Sequence, residues 1–550
     1  MSRAGEHRPD PTVVLLVDDE TAPGAVRLVA SRACAEAGTV QAVLDRRQIR
    51  EWLGTAPAAA DVVVLDGGWL APATVYGDLV ADPRPGPAVL TDGAGAPVGV
   101  RTGSAGAVAL SGADCGTDPS NAATLARLAA SLRARGPVRE VQPGRFPSAR
   151  TGTDPESARA LTDAVDEAAL RLRRASRSDD GFLSVFLIRP LSRQVTGRLV
   201  TTSVSPAQVT TVSLVLGLAS AVAYAGGSLA WLVLGSLLLL TSLVVDCVDG
   251  EVARYTRTFS ALGGWLDVAS DRVKEYAVYG GLAVGAARAD GGDLWGLALA
   301  AMAVLVVRHF VDFGYAAWAA GAPDRSAVAA LSEATSRRPP LLWAKRAVIL
   351  PVGERTVLLV AGVPLLGARA ALAGLLAWGL VAAAYTTAGR LARAWAARGR
   401  TDEEAAARLT SQCDGTPWRH WPVGGVLGWL CPAACRLTEV LAVVGVCAWA
   451  GGDGLFEGAY AALAAAAFRG YDVAYRQRLT GVAQPRDALT WCGWPVRVAV
   501  VALIGVGVRA DVLVVSGDTV LILGAAAWGL AALVVNAVWW RARPRSATAP

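Results

Sequence analysis

The sequence predicts a multi-pass α-helical membrane protein with a soluble α/β domain at its N-terminal end. Three observations predict it. Of 550 residues, 53% are hydrophobic and only 18% are charged, on the membrane side of average composition. From residue 207 onward, apolar segments recur near the ~20-residue length that crosses a ~30 Å hydrocarbon layer. Before residue 140 the pattern differs, with short apolar runs ending in acidic or glycine turns between helical stretches.

Composition also excludes function classes. The net charge of +6 arises from 52 basic residues, of which only Lys274 and Lys345 are lysine. These charges are dispersed and do not interleave with aromatic residues, so no nucleic-acid partner is expected. Eight cysteines are scattered with no C-x-x-C pair. Cys247, Cys447 and Cys492 lie in or beside apolar runs and read as small buried hydrophobes. Cys413, Cys431, Cys435 and His420 have the spacing of no usual zinc finger. The opening "MSRAGEHRPDPTVVLLVDDE" sets charges on both sides of a six-residue apolar run, unlike a signal peptide.

Taken in order, residues 1–140 hold "TVVLLVDD" and "DVVVLDGG", separated by helical pieces such as "AVRLVASRACAEAG". Alternation of this kind predicts βα units and a parallel sheet. Residues 141–200 form a linker with juxtamembrane helices. In it "DPESARALTDAVDEAALRLRRAS" has the acidic start and basic end of a helix. The following "GFLSVFLIRPLSRQVTGRLV" alternates Arg189, Arg193 and Arg198 with apolar residues, which suits the membrane surface.

Residues 201–400 contain six apolar segments, at about 207–226, 229–248, 263–286, 294–318, 354–367 and 370–392, and residues 401–550 four more, at about 434–450, 456–472, 492–508 and 517–539. The fifth and eighth are short or polar. Arg189, Arg193, Arg198, Arg254, Arg257, Arg337, Arg338, Lys345, Arg346, Arg393, Arg398 and Arg400 fall in loops on one side. The opposite loops, "ADGGD" and "GGDGLFEG", are acidic. By the positive-inside rule both termini and the soluble domain face the cytoplasm of a cell membrane.

Four aspartates interrupt this apolar region. Asp246 and Asp249 are three residues apart at the end of the second segment, hence on one helix face; Asp267 and Asp271 are four apart at the start of the third. Ionisable groups within a membrane are costly enough to mark a functional site. Facing carboxylates repel, and Arg254 and Lys274 supply too little charge to neutralise them. Oxygen-only ligation suits Mg²⁺ or Mn²⁺, and two such ions are the usual clamp for displacement at phosphorus. Gly250 and Ala253 leave room beside Asp249, and Gly263 permits a chain break before the next helix. The plainer reading makes the aspartates helix caps or packing partners.

The string Asp246-x2-Asp249-Gly250-x2-Ala253-Arg254-x8-Gly263-x3-Asp267-x3-Asp271 resembles, at all eight fixed positions, the signature of the CDP-alcohol phosphotransferase family. The resemblance extends over residues 180–395. It implies a membrane enzyme with a six-helix core, to which about four further helices are added here, often a homodimer among membrane lipids. Such an enzyme takes a CDP-linked lipid or alcohol and an acceptor hydroxyl and releases CMP in phospholipid biosynthesis. By similarity, Asp246, Asp249 and Asp267 hold two Mg²⁺ or Mn²⁺ ions, Asp271 touches one ion and serves as the catalytic base, and Gly250, Ala253, Arg254 and Gly263 border the nucleotide. In "VSPAQVTTVSL", Pro206 and Thr210 match the start of the family's first span, where Ala207 replaces the usual asparagine. Arg189, Arg193, Lys345, Arg346 and Arg355 lie where an acceptor's phosphate meets positive charge; simple topology-setting residues are the alternative.

The N-terminal region faintly resembles the nucleotidyltransferases fused to some relatives, which make CDP-inositol. Its "VVLLVDDETAPG" lacks their glycine-rich loop, and Gly68 stands where a second acid would follow Asp66, so a degenerate, noncatalytic domain is expected. Residues 401–550 resemble an uncharacterised fused membrane domain, in which Glu439 and Asp472 invite either a functional reading or ion pairing between spans. Inositol phosphate and glycerol phosphate are the acceptors considered. Two other functions compete: an inactive scaffold of the same fold, and a divalent-cation transporter. A transporter would place its ligands near the midplane between repeats.

Overall fold

A computed structural model describes residues 12–542 except 18–20, 38–39, 56–60, 82–85, 112–119, 136–137, 142–147, 151–154, 177–179, 290–291, 320–326, 337, 397–402, 415–424, 451–454, 481–483, 485–486 and 514. His420, Arg337, Arg398 and Arg400 lie outside the described residues.

The N-terminal part is an α/β unit. Its elements are β1 (Thr12–Val17), α1 (Pro23–Ala37), β2 (Val40–Asp45), α2 (Arg46–Gly54), β3 (Val62–Asp66), β4 (Trp69–Leu70), α3 (Ala73–Val80), β5 (Ala88–Thr91), β6 (Pro97–Thr102), α4 (Ser104–Ser111), α5 (Asn121–Arg135), β7 (Arg139–Val141) and β8 (Ala149–Arg150). Six strands form one sheet in the order β2-β1-β3-β6-β5-β7. Both faces are covered: Val13, Leu15, Val63 and Leu65 pack one side and Val14, Leu16, Val62 and Val64 the other. The sheet is mixed rather than parallel, since β6 runs antiparallel to β3 and β5. The reason is local. Asp92 accepts amide protons from Ala94 and Ala96, and Gly95 takes φ 88°, so a tight hairpin replaces the crossover helix that a parallel pair requires.

The linker is folded onto its neighbours. Helices α6 (Pro155–Asp163) and α7 (Glu167–Ala175) follow β8. Pro72 cannot cap α3 through its side chain, and Glu167 does so instead, accepting from the amides of Ala73 and Thr74 at 2.6 and 3.1 Å. Arg32 pairs with Asp163 at 2.5 Å. After a π-helical turn at Ser184–Ile188 comes the amphipathic α8 (Arg189–Leu199).

The apolar half is a helical bundle: α9 (Pro206–Tyr224), α10 (Leu229–Thr256), α11 (Ala261–Ala289), α12 (Trp295–Ala319), α13 (Ala327–Ser336), α14 (Pro339–Ile349), α15 (Val352–Leu366), α16 (Ala368–Ala396), α17 (Glu403–Gln412), α18 (Cys431–Ala450), α19 (Phe456–Thr480), α20 (Trp494–Arg509) and α21 (Gly517–Ala542). Helices occupy all ten expected segments. Among the described residues six are long and apolar enough to cross a membrane: α9, α10, α12, α16, Gly428–Ala450 containing α18, and Gly517–Arg541 within α21. The fifth segment departs most from expectation, because α14 and α15 meet at a 69° bend where Leu350 adopts φ 51° before Pro351. They make a seventh span only if taken together. Helices α11 and α19 carry more charge, and several of their charged groups pair with other helices. Several apolar helices of this length fit a multi-pass membrane protein.

One buried carboxylate ties the linker to the bundle. Glu251 of α10 is fully buried and accepts from Arg189 (3.0 Å), Ser192 (2.8 Å), Thr196 (2.8 Å) and Ser176 (3.0 Å). Arg189 also pairs with Asp180. Truncation leaves that guanidinium and three hydroxyls without their shared acceptor, so Glu251→Ala lowers stability by about 3–5 kcal/mol. Urea unfolding of the full chain in detergent micelles measures it; a loss below about 1 kcal/mol, the size of an exposed pair, would show that solvent reaches the site.

Candidate active site

The site forms where the hairpin of α10 and α11 meets α9. Arg257 caps α10 in the left-handed region at φ 55°, and the chain reverses over residues 257–260. Ser260 then accepts the amide proton of Gly263 at 2.9 Å. This corrects the expectation for Gly263: it lies within the first turn of α11, and Arg257 makes the break.

The hairpin brings the two aspartate pairs together. Asp246, Asp249 and Asp267 each offer an oxygen within 4.8 Å of the others. Asp249 is buried and accepts from the Thr210 hydroxyl at 2.5 Å. Asp246 Oδ1 accepts from Ser213 at 3.1 Å and from Lys274 Nζ at 2.5 Å. The same ammonium lies 3.2 Å from Asp271 Oδ1 and 2.9 Å from Ser213 Oγ. Lys274 therefore bridges one aspartate of each pair. Its stem lies against Gly217, where an added Cβ would come within 2.5 Å of Lys274 Cγ.

Ser213 and a specific role for Lys274 escaped the sequence reading. Both were within reach of helical spacing: Ser213 is one turn from Thr210 on α9, and Lys274 one turn from Asp271 on α11. Pro206 opens α9 behind a capping box made by Ser205 and Gln208, which fixes the turn that presents Thr210.

The remaining predicted residues divide. Gly250 and Ala253 follow Asp249 on α10, and the Arg254 guanidinium lies over Gly250, 3.0 Å from where a Cβ would stand. Arg254 donates to the carbonyl of Ala175, so it fastens α10 to the linker helix α7. Arg355 is buried and donates to Glu275 at 2.8 Å, within a group that includes Arg272 (2.7 Å) and Tyr279 (2.9 Å). Arg189 is likewise committed, to Asp180 and Glu251. These two guanidiniums are held by carboxylates inside the bundle, so the expectation of an acceptor phosphate on them does not fit the geometry. Arg193 donates to the carbonyl of Arg189 (3.3 Å), Lys345 to Ser332 (2.6 Å), and Arg346 to the carbonyl of Asp180 (2.9 Å). Arg193 and Lys345 thus bond here to a carbonyl and a hydroxyl rather than to a carboxylate.

The C-terminal helices brace the aspartate helix. Asp472 of α19 accepts from Trp265, two residues before Asp267, at 3.2 Å, and from Arg469, Arg476 and Asn536. Glu439 pairs with Arg436 and Arg497 at 2.6 Å each. Both acids are thus in ion pairs between or within helices. In the N-terminal unit, Asp66 accepts from Asn121, Gly68 and Arg150, at 2.9, 2.9 and 2.8 Å, and both its oxygens are taken by protein donors.

Comparison with known proteins covers the same stretch of chain. Residues 203–385 match the family model of CDP-alcohol phosphatidyltransferase. The chain is 37% identical over 106 residues to a bifunctional IPC transferase and DIPP synthase of Aquifex aeolicus, covering 19% of this chain and 23% of that one. It is 40% identical over 93 residues to the protein of the same name from Thermococcus kodakarensis, covering 17% and 20%. An archaetidylinositol phosphate synthase of Aeropyrum pernix is 47% identical over 62 residues, covering 10% of this chain and 32% of its own. Each match spans a third or less of the relative's length. The matched region contains all four aspartates with Thr210, Ser213 and Lys274, and the chain thus carries a CDP-alcohol phosphatidyltransferase domain at residues 203–385.

Proposed function

We propose that residues 201–400 catalyse transfer of a phosphatidyl or phospho-alcohol group from a CDP-linked donor, CDP-diacylglycerol or a CDP-alcohol, to an acceptor hydroxyl, releasing CMP in phospholipid biosynthesis. The observation that carries this reading is the convergence of Asp246, Asp249 and Asp267 within 4.8 Å, with Asp271 one turn further along α11.

The donor set fits hard divalent cations. Four carboxylates against the ammonium of Lys274 and the Arg272 guanidinium, which lies 3.9 Å from Asp271 and is shared with Glu275, leave an excess of negative charge, and every converging donor is oxygen. Asp246, Asp249 and Asp267, with Asp271, would hold two Mg²⁺ or Mn²⁺ ions. When bound, such ions offset the charge of the donor's diphosphate. The chain's own groups do the rest. Thr210 fixes Asp249, while Ser213 and Lys274 fix Asp246. Gly250 and Ala253 border the nucleotide, and Arg254 holds that part of α10 against α7. Asp271, steadied by Lys274, takes the proton of the attacking hydroxyl.

Arg193, Lys345 and Arg346 are the basic residues proposed to meet an acceptor phosphate. The Aeropyrum pernix relative is named for archaetidylinositol phosphate, which favours inositol phosphate over glycerol phosphate as the acceptor class. Arg254 and Arg257 at the α10–α11 turn, with Arg338, Lys345 and Arg346 near α14, support a cytoplasmic site in the cell membrane. The N-terminal unit reads as noncatalytic, since Asp66 is occupied by protein donors. The resemblance to the family extends the proposal to a homodimer.

Membranes containing the protein, given labelled CDP-diacylglycerol or CDP-alcohols, a panel of acceptors and Mg²⁺ or Mn²⁺, release CMP, and a chelator stops the release. Folded protein that releases no CMP with any pair would instead be an inactive scaffold of this fold. Asp271→Asn lowers kcat by about 10²- to 10⁴-fold, the worth of a general base, with the donor's KM changed little. A rise in KM matching the fall in kcat would assign Asp271 to donor binding.

A further inference from the structure

The three thiols of Cys413, Cys431 and Cys435 meet in one place. Cys413 follows α17, while Cys431 and Cys435 lie four apart on one face of α18. All three are fully buried, their sulfurs lie within 4.8 Å of one another, and the Cys413 and Cys431 sulfurs are 3.7 Å apart. None is in a disulfide.

The placement differs from that of an ordinary core cysteine. Cys447, further along α18, sits within the large apolar core of the bundle, as a small hydrophobe should. The trio forms a cluster apart from that core, with Trp494 as the apolar side chain packed against it. Its surroundings are charged. Asp414 follows Cys413 and accepts from Arg436 and Arg497 at 2.8 Å each, and both arginines also pair with Glu439. Arg436, the residue after Cys435, is 2% exposed, and its Nε has no hydrogen-bond partner among the described residues.

We infer that Cys413, Cys431 and Cys435 form a metal site for a thiophilic cation, Zn²⁺ or Cu⁺, that joins the end of α17 to the start of α18. Two sulfurs on a tetrahedral Zn²⁺ at 2.3 Å stand about 3.8 Å apart, close to the spacing seen here. Three sulfurs complete a trigonal Cu⁺ site or leave one position of a tetrahedral Zn²⁺ for a further ligand. The set is all sulfur, so it selects against the hard cations that suit the aspartates. The inference is independent of the transferase reading.

Full-length protein purified anaerobically in detergent, with excess Mg²⁺, tests it by elemental analysis, which also separates zinc from copper. The expected content is about one zinc or copper per chain, kept by Cys447→Ser and lost by Cys413→Ser and by Cys435→Ser. Should those two variants misfold, Co²⁺ exchanged into the wild-type chain decides, since thiolate ligation gives an intense sulfur-to-cobalt charge-transfer absorption. Wild-type protein that takes up no zinc or copper beyond the serine variants, or Co²⁺ spectra lacking that absorption, overturns the site.

Discussion

Mutual repulsion of four carboxylates at one end of a helix hairpin is the constraint on which the rest of this structure depends. Two come from α10 and two from α11, and the reversal at Arg257 sets them facing one another. Coulomb repulsion between unit charges 4 Å apart is about 4 kcal/mol at an effective dielectric of 20, too much to leave uncompensated several times over. Lys274 answers part of it, bridging Asp246 and Asp271. The remainder calls for cations from outside the chain. A diphosphate, itself anionic, can occupy the site only with such ions, so the electrostatic problem and the proposed chemistry share one solution.

Holding such a site requires the hairpin to be braced from every side, and the surrounding helices do this with paired charges. Glu251 fastens α10 to α8, and Arg254 fastens it to α7. On α11, Arg272 and Glu275 are locked with Arg355, and Trp265 is gripped by Asp472 from α19. Unpaired buried charges would destabilise these helices strongly, whereas completed groups fix their rotation and depth. Residues 401–550 thereby contribute to the position of Asp267, even though no substrate contact is assigned to them.

Much of this was legible in the sequence, for identifiable reasons. Apolar segment length located the helices, because a hydrocarbon layer imposes its thickness on the chain. The aspartate spacing placed each pair on one helix face, since 3.6 residues per turn leaves little choice. Tertiary closure was less legible. The turn "TDGAGAP" is a local signal that the βα alternation around it outweighs, so the pattern points to a parallel sheet where a mixed one forms, and the bend at Leu350 depends on a left-handed residue that hydropathy does not register. Arg355 reads as available for a phosphate because its partner, Glu275, lies 80 residues away, and one of the two partners of Arg189, Glu251, lies 62 residues away. The three cysteines show the same limit: 18 residues separate Cys413 from Cys431, and only the packing of α17 against α18 joins them.

The central claim is that the aspartates exist to bind divalent cations, and Mn²⁺ binding to the purified chain followed by electron paramagnetic resonance tests it most directly. With a CDP-linked donor present, the account predicts about two Mn²⁺ per chain, magnetically coupled to each other, with the coupled signal lost in Asp249→Ala. Wild-type protein that binds no Mn²⁺ saturably, or an Asp249→Ala variant that retains the coupled pair, would contradict it.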